Sequence, residues 1–348
     1  MSKITPDDNQ ATNPPTIEDI ARAAGVHPAS VSRALRGIDK KVSAQTRQRI
    51  EQIAKEMGYR PNAVAASLRT KQTNLIGIVV PDLGNPLFGP IVQGLEVELR
   101  KQGLMCLVIQ TPEEPDERRD VVVALANRQV GGLLILAAES DDPMLATAEQ
   151  LSIPTVLVNR GFGERRFSSV VNDDSESVHL VLEHLMKLGH RAIAHIAGPS
   201  SSSTGRARRQ AFEELSESLG IQTRVVEARA FTRQEGLTAA LELLNQTKAC
   251  TAIFGANDLI AMGVLDALHQ HGLSVPGDVS VVGHNDMPFV DLIAPPLTTV
   301  RIAVDQMSRQ AAQLLLEHLK TPGQAPSRRV LTPKLIVRSS TASARKTS

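Results

Sequence analysis

Between positions 27 and 36 the chain carries His27, Ser30, Ser32, Arg33 and Arg36 on a stretch whose apolar members Val31 and Leu35 stand four residues apart. At helical spacing Val31 and Leu35 share an inner face, which leaves His27, Ala29, Ser30, Ser32, Arg33 and Arg36 outside. Hydroxyls, an imidazole and two guanidinium forks on one surface can bond to phosphate oxygens, and an arginine fork fits the paired acceptors of a guanine edge. The plain alternative is a solvated basic face, and the charge distribution argues against it. Eleven basic and five acidic residues between 16 and 73 give that segment +6, whereas the whole chain is only +1, so the remainder carries −5. A basic head on an acidic body is the asymmetry of a module that binds a phosphate polymer.

The elements that must hold those residues are legible. Thr16 and Asp19 have the spacing of a capping box, with Ile17, Ile20, Ala21 and Ala24 following on one helical face. Gly25 stands where the chain must leave that helix through a left-handed conformation, and Pro28 opens a second helix where its missing N–H is no loss. Ser43 can cap a third helix that runs to Met57 and stops at Gly58. Three short helices around a small apolar centre make a helix-turn-helix module, with the second helix in the major groove of DNA.

At 348 residues with 42% hydrophobic content, the chain has room for further domains with a real core. From residue 75 short apolar runs alternate with helical patterns: 75–80, 104–109, 130–136, 155–158, 192–197, 225–228, 251–254, 279–282 and 297–302. Such βα alternation predicts doubly wound parallel sheets, and the number of strands predicts two similar subdomains with a cleft between them. Cys106 and Cys250 lack metal-ligand spacing and read as packed thiols in a reducing compartment, with neither a metal nor a cofactor implied. A polar N-terminus and the lack of any bilayer-length apolar run point to a cytoplasmic protein. Residues 1–15 and 339–348 are polar and small, and are expected to be disordered tails.

The motifs Ile-Ala-Arg-Ala-Ala-Gly-Val at 20–26, Val-Ser-Arg-Ala-Leu at 31–35 and Gly-Tyr-Arg-Pro-Asn-Ala-Val-Ala at 58–65 stand ahead of Leu-Gly-His-Arg at 188–191, Ala-Asn-Asp at 256–258 and Pro-Pro-Leu-Thr-Thr-Val at 295–300. In this order, from about Thr16 to Arg338, the chain resembles the LacI-type (lactose-repressor) family of transcription regulators. The resemblance implies an α/β architecture of four parts. A helix-turn-helix headpiece occupies 16–60 and a hinge helix with its linker 61–74. A periplasmic-binding-protein-like core of two doubly wound parallel-sheet subdomains follows at 75–338. One subdomain comprises 75–170 plus 302–330, the other 171–301 plus 331–338.

It also implies functional residues. The start of the second helix would read bases through His27, Pro28, Ala29 and Arg33, with Thr16, Ser30, Ser32 and Arg36 beside them. The family more often has serine where His27 stands, a departure that adds a titratable imidazole. In the hinge, Asn62, Ala65 and Leu68 would meet the minor groove, Leu68 as a wedge at a deformable base step. A segment so short is not a stable helix alone, so two copies would order together on DNA, which demands a homodimer and a near-palindromic operator. In the core, Asn85, Phe88, Asn159, Arg206, Phe231, Asn257 and Asn285 would touch a small effector. An aromatic face and several amides suit a sugar. Asn285 replaces the aspartate common in the family. Unless Asp82 or Asp173 pairs with it, Arg206 then lacks a carboxylate, which would favour a sugar acid.

Asp258 reads as the N-cap of the helix 259–271 rather than as a ligand contact, and Ser200–Ser203 as a loop without a partner histidine. A doubly wound enzyme would need a glycine-rich phosphate cradle, and neither Gly-x-Gly-x-x-Gly nor Gly-x-x-x-x-Gly-Lys-Ser/Thr occurs where one could work. A transport solute-binding protein would have no use for the basic head. A repressor is the favoured regulator, with an activator or dual regulator of the same family as the alternative.

Overall fold

The computed structural model describes residues 15–36, 42–59, 73–112, 114–139, 141–161, 166–246 and 250–345. It divides into two compact units, residues 1–71 and 72–348. The expected hinge residues Asn62, Ala65 and Leu68, the side chain of Arg36 and residues 1–14 lie outside the described residues.

In the first unit, α1 (Ile17–Ala24), α2 (Pro28–Arg36) and α3 (Ala44–Glu56) enclose one apolar cluster of Ile20, Ala21, Ala24, Val31, Ala34, Ile50 and Ala54. The capping box forms as the spacing predicts: the Asp19 amide donates to Thr16 Oγ1 at 3.3 Å, and the Thr16 amide to the Asp19 carboxylate at 2.9 Å. These bonds hold the Asp19 carboxyl below its ordinary pKa. Gly25 takes φ 62°, the left-handed exit. Arg49 donates to the carbonyl of Ala24, which ties α3 to the end of α1. This arginine therefore holds the headpiece together rather than serving only as surface charge.

The second unit holds two six-stranded sheets. The first sheet takes β1 (Leu75–Val80), β2 (Met105–Gln110), β3 (Gly132–Ile135), β4 (Thr155–Asn159) and β5 (Ser168–Asn172), with α4 (Phe88–Arg100), α5 (Pro115–Asn127) and α6 (Pro143–Gln150) between them. The second takes β6 (Ala192–Ala197), β7 (Gln222–Glu227), β8 (Ala252–Gly255), β9 (Ser280–Asn285) and β10 (Thr298–Arg301), with α7 (Asp174–Lys187), α8 (Ser203–Ser218), α9 (Arg233–Gln246) and α10 (Asp258–Gln270). The chain then returns through α11 (Val304–Lys320) to place β11 (Arg328–Leu331) on the first sheet, and crosses again to place β12 (Lys334–Ile336) on the second. The orders are β11-β5-β4-β3-β1-β2 and β12-β10-β9-β8-β6-β7. Every pairing is parallel except β10 with β12.

Strands β1, β3 and β4 are almost wholly buried, as apolar parallel strands covered on both faces must be. Met307, Ala311 and Leu315 of α11 pack with Ile78, Leu95 and Val156, which makes α11 part of the first subdomain. Three strands escape the apolar pattern. β5 reads Ser-Ser-Val-Val-Asn because Ser168 bonds His318 at 2.7 Å and the Ser327 amide at 3.0 Å, while β11 and β12 are edge strands with charged outer residues. The subdomain borders shift accordingly: residues 171–172 and 331, expected in the second subdomain, complete strands of the first sheet.

The expectation of a disordered tail at 339–348 is corrected over its described part, residues 339–345. Ser340 is fully buried; its Oγ donates to the Val281 carbonyl at 2.6 Å and accepts from the Thr298 amide at 2.8 Å. Ala342 exchanges bonds with Ser280, and the Ala344 amide donates to Leu188 at 2.8 Å. Small polar residues look disordered by composition, yet here hydrogen bonds tie them to β9, to β10 and to Leu188 after α7. Cys106 and Cys250 are free and partly buried, and burial pushes the Cys106 thiol up to about 11.

Candidate functional site

The outer face of α2 carries the residues expected there. His27, Ala29 and Arg33 are exposed, Pro28, Ser30 and Ser32 half-buried, and Val31 and Ala34 buried beneath them. The Ala29 amide donates to His27 Nδ1 at 3.2 Å, so the imidazole closes the open end of α2. Nδ1 as acceptor leaves the other nitrogen as the donor. Thr16 is exposed, and its hydroxyl is bonded to Asp19 at 2.6 Å.

In the second unit, six of the seven expected core residues converge on one cavity of about 470 Å³: Asn85, Phe88, Asn159, Phe231, Asn257 and Asn285. They come from both sheets. Asn85 and Phe88 follow β1, and Asn159 ends β4. Phe231 follows β7, Asn257 precedes α10, and Asn285 ends β9. Asn159 and Asn285 take φ of 66° and 113°, a region that asparagine tolerates better than most residues. Both side chains thus sit where a strand turns out of its sheet, at the carboxyl ends where open α/β sheets bind ligands.

The seventh residue is misplaced by two positions. Arg206 is exposed and donates to the carbonyls of Ser200 and Ser201 at 2.5 and 3.2 Å. Two residues along a helix turn a side chain by about 200°, so Arg208 is the one that enters the cavity wall. It is buried, and it donates to Asp174 at 2.8 Å and to the Ala256 carbonyl at 2.5 Å. Ser203, read as loop, opens α8. Asp258 is corrected too. Asn257 caps α10, accepting from Ile260 at 2.8 Å, while buried Asp258 accepts from the Met287 amide at 2.8 Å and from Thr299 at 2.5 Å. Burial pushes the Asp258 carboxyl up to about 7.

Sequence reasoning missed Arg118, Glu139, Arg160 and Arg229, which also line the cavity. Arg118 joins Glu139 at 3.3 Å and Asp142 at 3.2 Å. Arg160, directly after Asn159, is buried, and its guanidinium carbon lies 5.8 Å from the centroid of Phe231. Its position beside a recognised residue was the one available signal. Behind Arg208, His195 and His284 are fully buried and their pKa values are driven down by burial, His195 to about 4. Among the described residues no group of His, Cys, Asp or Glu could hold a metal ion, and no helix is long and apolar enough to cross a membrane.

Comparison with known proteins agrees with this geometry. The profile of bacterial regulatory proteins of the lacI family matches residues 16–62, and that of the periplasmic binding protein-like domain matches residues 182–341. The HTH-type transcriptional regulator DegA of Bacillus subtilis (strain 168) is 34% identical over 337 residues, 94% of this chain and 98% of DegA. The structure of the Lac repressor dimer bound to operator and the anti-inducer ONPF is similar with a TM-score of 0.85 at 28% identity, covering 95% of this chain and 100% of that one. The complex of the transcriptional regulator CelR with cellobiose is similar with a TM-score of 0.73 at 31% identity, covering 94% and 99%. Three short helices ahead of a two-sheet core with a polar cleft, and near full-length similarity to such regulators, lead to one assignment: the chain belongs to the LacI family of DNA-binding transcription regulators.

Proposed function

We propose that the chain is a cytoplasmic homodimeric repressor whose grip on a near-palindromic operator is set by a small polar molecule in the core cleft. Arg33, with its neighbours on α2, reads base edges, and two-fold pairing of chains matches the two halves of the operator. The dimeric, operator-bound Lac repressor and the cellobiose-bound CelR support both parts of the reading. The observation that carries it is the cleft itself: hydrogen-bonding residues from two sheets face one cavity large enough for a mono- or disaccharide. A molecule held by both sheets stabilises one arrangement of the two subdomains. It shifts operator affinity only by its differential affinity for the two states.

The test is fluorescence anisotropy of the full chain on palindromic duplexes, with and without candidate sugars and sugar acids, across salt concentrations. The expected result is a salt-sensitive preference for one palindrome that a ligand changes. Equal binding to all duplexes overturns the reading.

A further inference from the structure

We propose that the effector of this chain is anionic, a carboxylate or phosphate on a small hydroxylated frame, and that Arg160 is the residue that receives the charge. The inference rests on the reading of the cleft as the effector site.

Two independent features of the wall carry it. The first is charge. Four arginines line the cavity, Arg118, Arg160, Arg208 and Arg229, against two acidic residues, Asp82 and Glu139. Arg118 and Arg208 are well paired, and their partners Asp142 and Asp174 stand outside the lining. Arg160 is not. Among the described residues it makes one long bond to the Ala137 carbonyl at 3.4 Å and approaches to 4.0 Å of Glu139, a carboxylate already engaged by Arg118. A guanidinium has five N–H donors, and a buried one without a close counter-charge is costly. Burial accordingly draws the Arg160 pKa down to about 10.

The second feature is the polarity of the amides. Asn85 Oδ1 accepts from the Leu87 amide at 3.1 Å, Asn159 Oδ1 from Asn172 at 3.2 Å, Asn257 Oδ1 from the Ile260 amide at 2.8 Å, and Asn285 Oδ1 from His284 at 3.0 Å. In each case the carbonyl oxygen is occupied inside the protein. The amino groups of Asn85, Asn159 and Asn285 remain as the polar ends for a ligand. The amides and arginines of the wall therefore offer mostly donors, and a carboxylate or phosphate, which presents several acceptor lone pairs and no obligatory donor, is their complement. Hydroxyls of a neutral sugar would meet the amino groups yet leave Arg160 uncompensated.

The experiment is isothermal titration of the full chain, at constant ionic strength, with matched pairs: galactose and galacturonate, glucose and glucuronate, glucose and glucose 6-phosphate. At least one acid is expected to bind about tenfold or more tightly than its neutral partner. Arg160→Gln, with its fold checked by circular dichroism, should weaken that acid by about 30-fold or more, while Arg160→Lys keeps part of the preference as a point charge. Neutral members binding as tightly as acids, no acid binding, or acid affinity unchanged in Arg160→Gln would each overturn the proposal. Ligand-free binding to palindromic DNA, measured on the same preparation, tests the regulator reading separately. If that binding persists when the acids fail, only the charge assignment falls.

Discussion

Phe231 lies so close to Gly198 that a Cβ at position 198 would stand 2.3 Å from the ring. The glycine at the end of β6 is thus the floor on which the aromatic wall of the cleft rests. Gly198→Ala should push Phe231 off that position. Its expected signature is a loss of ligand affinity of about tenfold, by titration calorimetry, with a destabilisation of about 1–3 kcal/mol from overpacking. Phe231→Leu, which removes the ring and relieves the crowding, should lose affinity with a smaller stability cost; equal affinity in both variants and the wild type would contradict the placement.

Arg33 is exposed on α2, above buried Val31 and Ala34. Arg33→Ala should weaken specific operator binding by about 1–3 kcal/mol, roughly 5- to 150-fold, and relax base preference at one position of each half-site. Anisotropy titrations on operators carrying single base changes check this. A uniform loss across all sequences would instead mark Arg33 as a phosphate contact.

The legibility of the chain follows from what burial does to composition. Strands such as β1 and β3 are covered on both faces and become continuous apolar runs, so they were readable. β5 and the segment 339–345 replace apolar contacts by specific hydrogen bonds from Ser168 and Ser340, and such bonds leave no periodic trace. In the cleft, residues at strand ends were found through family motifs, whereas the choice between Arg206 and Arg208 depends on the starting phase of α8. A shift of two residues there reverses which side faces the ligand.

Acid should unfold the core by way of its buried imidazoles. Folding keeps His195 neutral with a pKa near 4, against 6.5 for the ordinary group. Below 6.5 the unfolded chain takes a proton that the folded chain refuses, so stability present above that pH declines until about pH 4, by about 3 kcal/mol for this group. His284 acts in the same sense. Asp258, with its pKa raised to about 7, acts oppositely, since the folded chain holds its proton between the two values. Urea unfolding at pH 7.5 and 5.0 should therefore show a steeper acid loss in the wild type than in His195→Asn. Parallel losses would count against a neutral His195.

Truncation after Arg338 should destabilise the second subdomain. It strips Ser340 from the Thr298 amide and the Val281 backbone, and Ala342 from Ser280 and His190. Each buried group left without a partner costs about 1–3 kcal/mol. A thermal melt several degrees below the intact chain is expected, and an unchanged midpoint would show that the segment contributes nothing.

The three passages of the polypeptide between its two sheets also decide how the molecule can be cut and recombined. Because α11 and β11 belong to one lobe and β12 to the other, no continuous stretch of gene encodes either lobe. A chimera that swaps sensors between regulators must exchange everything downstream of residue 71 as one piece. Grafting one lobe alone would need a seam at each of the three crossings, at 172–174, 301–304 and 331–334.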